Sequence, residues 1–72
     1  MITVYAYDTF RDGTTRWRRI KGFRVDAFEY LGQTPRSAIS DAYDLADDIK
    51  KIGKYMGVKI AHGRHIILQE LW

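Results

Sequence analysis

Thr34-Pro35-Arg36-Ser37-Ala38-Ile39-Ser40-Asp41-Ala42-Tyr43-Asp44-Leu45-Ala46-Asp47-Asp48-Ile49-Lys50-Lys51-Ile52-Gly53-Lys54-Tyr55-Met56-Gly57 is where the architecture of this chain is set. Thr34 is a good N-cap, and Pro35 has its φ already suited to a first helical position that needs no N–H partner. The pattern predicts one long helix running to about Met56, with Gly57 as its stop. At about 100° per residue, Ala38, Ala42, Leu45, Ala46, Ile49, Ile52, Gly53 and Met56 share one stripe. Asp41, Asp44, Asp47, Asp48, Lys51 and Lys54 lie outside it. The aspartates come early and the lysines late, which suits the helix dipole. Asp47 and Lys51 are spaced to pair. Ala42, Ala46 and Gly53 would let the helix approach a sheet closely, and Gly53 reads as a packing residue because it otherwise costs about 1 kcal/mol of helix propensity.

Strand signals flank the helix on both sides. Ile2, Val4 and Ala6 alternate with Thr3, Tyr5 and Tyr7, as in a half-buried strand. Asp12-Gly13 marks a hairpin turn within residues 9–15. A second strand is expected over 16–25, with Trp17, Phe23 and Val25 on one face and Arg16, Arg18, Ile20 and Arg24 on the other. Arg19 and Lys21 interrupt the apolar side, and Gly22 reads as a bulge. Residues 26–32 fit either a short capped turn or an extension of that strand, with the turn preferred. After the helix, Val58-Lys59-Ile60-Ala61 and residues 65–71 read as two strands joined by the turn His62-Gly63-Arg64. The expected fold is α+β: β-hairpin, one long helix, β-hairpin, forming a small antiparallel sheet with the helix packed on one face. The order of the strands in space stays open.

The chain has 72 residues, enough for one small domain over residues 1–72, and no cysteine. At this size only about 60% of the unfolded chain's surface is buried, so the core is thin. A hydrophobic fraction of 46% argues against disorder. No leader-like segment or bilayer-length apolar run is present, so a cytoplasmic, intracellular location is expected. Disulfide and thiolate chemistry is excluded. No metal or cofactor is expected, since His62 and His65 lack companions for a common zinc set and no phosphate-cradling glycine loop occurs. Histidine beside arginine permits acid–base cleavage of RNA, but the reading is that the protein is not an enzyme.

The net charge of +3 is unevenly spread. Arg11, Arg16, Arg18, Arg19, Lys21 and Arg24 crowd one short segment, with Phe10, Trp17 and Phe23 threaded among them. Guanidinium forks suit phosphate oxygens and aromatic faces suit bases. A two-stranded ribbon of this kind can also enter the DNA major groove. The simplest alternative is an edge strand whose cations keep other chains away. The first expectation is therefore a non-enzymatic nucleic-acid-binding domain. Its contacts are Arg11, Arg16, Trp17, Arg18, Arg19, Lys21 and Arg24, and its partner is DNA, RNA or a nucleoprotein complex.

Within residues 12–23, Asp12-Gly13, Arg16, Arg18, Arg19 and Lys21-Gly22-Phe23 resemble the arm-site DNA-binding domain of phage and transposon tyrosine integrases. That resemblance implies a small sheet packed on a helix. The chain departs from that pattern in residues 26–33 and in its second hairpin, and this family is not adopted.

The second expectation is a small protein-interaction module, such as a viral or mobile-element inhibitor of a host protein or nucleoprotein complex. Its surface would use Asp41, Asp44 and Asp48 on the helix edge together with Trp72. An ordinary solvated helix face is the preferred reading of the aspartates. Leu71-Trp72 reads either as a partner or homodimer contact or as an end folded back on the thin core.

Overall fold

A computed structural model describes residues 1–25 and 36–72 of the chain. Its elements are β1 (Ile2–Thr9), β2 (Thr15–Phe23), α1 (Arg36–Ile52), β3 (Gly57–His62) and β4 (His65–Leu71). The strands form one sheet in the order β2-β1-β3-β4, each antiparallel to its neighbours. The expected α+β arrangement of two hairpins around one helix is present. The expected turn at 26–32 and the cap Thr34-Pro35 lie outside the described residues.

β2 and β3 both run against β1, which lies between them, so they run parallel to each other. The chain passes from one to the other through α1, forming a split β-α-β unit. The helix covers the sheet face that carries Ile2, Val4 and Ala6 of β1 and Val58 and Ile60 of β3. Ala38, Ala42, Ala46 and Ile49 oppose them, all buried. Three alanines at four-residue spacing keep the helix surface low, so its backbone sits close to the sheet. Each fully buried Ile or Val contributes roughly 1.5–3 kcal/mol of burial free energy. Ile20, Phe23, Val25, Leu45 and Leu68 seal the margins.

The helix ends a turn earlier than its apolar stripe implies. It stops at Ile52, and Gly53 takes the left-handed conformation with φ 72°. Ile52 and Met56 are consequently exposed and do not extend the buried stripe. The Met56 N–H donates to the Tyr7 carbonyl at 2.8 Å, fastening the linker to the end of β1. Gly57 is buried at the start of β3, where an added Cβ would lie 2.5 Å from the Glu70 carbonyl oxygen. The two glycines thus exchange their expected roles: Gly53 stops the helix and Gly57 permits close packing of β4. Gly53→Ala is expected to lower stability by about 1 kcal/mol, because an alanine there is held in the left-handed region. A urea midpoint unchanged from wild type would contradict that assignment.

β2 is irregular in a way that matters for its faces. Val4 pairs with Lys21 but Tyr5 pairs with Arg19, so Ile20 is the extra residue of a bulge. The bulge expected at Gly22 is therefore two residues earlier.

Candidate nucleic-acid interface

Residues paired across antiparallel strands project to the same side of the sheet. Arg18 pairs with Ala6, Arg16 with Asp8 and Phe23 with Ile2, which places them on the helix side. Trp17 pairs with Tyr7 and Arg19 with Tyr5, while Lys59 pairs with Tyr5 from the opposite flank. These residues occupy the side that α1 leaves open. Trp17 and Phe23, six residues apart, would share a face in a regular strand. The bulge at Ile20 reverses the alternation between them, which corrects the expected grouping. The cations expected to act as one surface are divided by the ordinary alternation of residues 16–19 into two clusters that meet along the β2 edge.

The open-face cluster is aromatic at its centre. The rings of Tyr7 and Trp17 lie 4.9 Å apart at 52°. The Lys59 ammonium sits 4.7 Å from the centre of the Tyr5 ring and 4.8 Å from that of Trp17. Each such contact is worth about 0.5–1 kcal/mol at an accessible site and holds the cation over the rings. Tyr5, Tyr7, Trp17 and Lys59 are half-buried, and Arg19 beside them is exposed. The arrangement is an aromatic surface of tilted rings with fixed positive charge, suited to planar rings linked by anions.

The second cluster stands at the hairpin tip. The Phe10 ring lies 3.9 Å from the Arg16 guanidinium carbon and 4.4 Å from that of Arg18. Arg18 Nε donates to Asp8 Oδ2 at 2.9 Å, and Asp8 is buried. Asp8 thus fixes one arginine in place while partly offsetting its charge. Phe10, Arg11, Asp12, Arg16 and Arg18 line an open hollow of about 380 Å³. Gly13, with φ 86°, closes the turn. The Thr14 hydroxyl and backbone N–H both donate to Asp12 Oδ1, at 2.6 and 3.0 Å, and hold that carboxyl below its ordinary pKa. This contribution to the turn is present above the ordinary carboxylate range and is lost as pH falls through the lowered value.

Lys21 and Arg24 join neither cluster. The Lys21 ammonium lies 5.2 Å from the Phe23 ring, and Arg24 is exposed beyond the end of β2. Asp41, Asp44 and Asp48 are exposed on α1, in the layer behind the sheet. Asp47 and Lys51 form the ion pair their spacing implied, 3.1 Å long, and Asp47 raises the Lys51 pKa through that hydrogen bond. Trp72 is 45% exposed. Its backbone N–H donates to the Met56 carbonyl at 2.9 Å and its indole N–H to Glu70 Oε2 at 3.3 Å. It borders a hollow of about 210 Å³ between α1 and β4, beside Tyr43, Asp47 and Lys50. Among the described residues, no group of three or more His, Asp or Glu side chains can hold a metal ion, and no helix is long and apolar enough to cross a membrane.

Sequence reasoning found Trp17 and Arg19 but not the company they keep. Tyr5, Tyr7 and Lys59 complete the cluster, and the signal for the tyrosines was their place on the polar side of the first strand. Lys59 joins them only because β3 pairs with β1, a pairing between distant parts of the chain. No family model, curated protein or solved structure matches the chain.

Proposed function

We propose that this chain is a non-enzymatic nucleic-acid-binding domain acting in the cytoplasm. Its contact surface is the open sheet face around Tyr5, Trp17, Lys59 and Arg19, extended by Arg11, Arg16 and Arg18 at the hairpin tip. The observation that carries the reading is the Lys59 ammonium held against two aromatic rings on the sheet face opposite α1. Rings offer stacking to any base, and the flanking cations neutralise phosphates. The exposed aspartates of α1 lie in the opposite layer, so their repulsion of phosphates is weakest at this surface. Binding of a labelled oligonucleotide is expected to weaken at least tenfold between roughly 50 and 200 mM salt. Salt-independent binding, or none at low salt, would overturn the proposal.

A second reading, a protein-interaction module of the inhibitor type, is favoured by one observation. Ile66, Leu71 and Trp72 are exposed along or just beyond β4, an edge strand that carries no lysine or arginine. Edge strands without such charges invite pairing with another chain. Capture of one stoichiometric protein from nuclease-treated lysate by wild type, and not by Trp72→Ala, would favour this reading over the first.

A further inference from the structure

We infer that the open face takes an unpaired nucleic-acid strand rather than a duplex, an inference that rests on the nucleic-acid reading above. The first ground is the shape of the sheet. β1 is bonded to β2 along its whole length and to β3 from Ile2 to Ala6. Only the hairpin beyond Tyr7 projects free of β3. Four strands at about 4.8 Å spacing make a platform wider than the two-stranded ribbon that a major groove of about 12 Å admits. Tyr5 lies within the platform and Tyr7 and Trp17 at its margin, so this surface cannot be carried into a groove.

The second ground is what the rings have to offer. In a closed duplex the faces of the bases are covered by their neighbours, and only their edges are presented in the grooves. Tyr5, Tyr7 and Trp17 would then have nothing to stack on. An unpaired strand exposes those faces, and stacking one base on a ring is worth roughly tenfold or more in affinity. The cations are placed to match. Lys59 lies between two rings, and Arg19 is the other cross-strand neighbour of Tyr5. Arg16 and Arg18 follow on the far side of the β2 edge, against Phe10. A strand stacked on Trp17 and Tyr5 thus meets Lys59 and Arg19 on the platform and two guanidinium groups where it leaves over β2.

The test uses the full chain carrying Trp72→Phe, so that Trp17 is the only tryptophan. Its probes are an oligothymidylate and an oligouridylate of about twelve nucleotides, and a blunt duplex of equal length. At low salt either pyrimidine strand is expected to bind at least tenfold more tightly than the duplex and to quench Trp17 emission in a saturable way. Lys59→Ala is expected to weaken strand binding several-fold while leaving the far-ultraviolet circular dichroism unchanged. Duplex binding as tight as strand binding, or strand binding without quenching of Trp17, overturns this inference and leaves the broader proposal standing. Binding to none of the three probes overturns both.

Discussion

Ile60→Ala is expected to lower the urea midpoint drastically and to leave a large unfolded population near physiological temperature. Ile60 is fully buried in a central strand and packs in the cluster formed by β1, α1 and β3. Removing a buried isoleucine side chain beyond Cβ costs about 2–5 kcal/mol, the higher values arising where neighbours cannot close the cavity. Closure is difficult here because the facing helix already presents alanine at residues 38, 42 and 46. A chain of this length has roughly 4–11 kcal/mol of total stability at typical per-residue values. The substitution therefore removes a large share of the whole. Ile66→Ala is the control: the same residue type, 51% exposed on β4, should shift the midpoint little. Equal midpoint shifts for the two variants would mean that the core is not where the burial places it.

Replacing Arg16, Arg18 and Arg19 with alanine is expected to flatten the salt dependence of oligonucleotide binding. Each phosphate that is no longer neutralised reduces the slope of log affinity against log salt by about 0.7 for a single strand, so three should reduce it by about 2. Arg18 needs separate treatment because it neutralises the buried Asp8. Its removal alone would strand a carboxylate in a poorly solvated position and destabilise the hairpin. Including Asp8→Asn in the variant removes that complication. Fluorescence anisotropy over a salt series reads the slope directly. A slope identical to wild type, in a variant with native circular dichroism, would show that these arginines do not meet phosphates.

The outline of the fold was legible because its signals are local. The β1 alternation, the Asp12-Gly13 turn and the four-residue spacing of Ala38, Ala42 and Ala46 each lie within a few residues. What was not legible depends on partners remote in sequence. Gly57 reads as the helix stop and Gly53 as the packing residue until β4 is seen crowding the first of them. The faces of Trp17 and Phe23 hinge on one surplus residue, and Ile20 looks no different from any other apolar residue in a basic strand. The strand order brings Lys59 beside Tyr5, so the aromatic platform could be assembled only after the sheet. The cations of β2 and their alternation between two faces up to Arg19 were visible at once, but the bulge that turns Lys21 and Phe23 to the helix side was not.

The position of β1 has a consequence for how this protein is made. β1 is synthesised before the other strands and occupies the interior of the sheet, yet β3, its second neighbour, is translated only after the whole helix. The nascent hairpin must keep one side of its apolar β1 unsatisfied during most of elongation, and closing the sheet demands a meeting of distant parts of the polypeptide, the kind that slows folding. A stalled or prematurely terminated message would release an amphipathic strand with a bare flank, a ready seed for self-association.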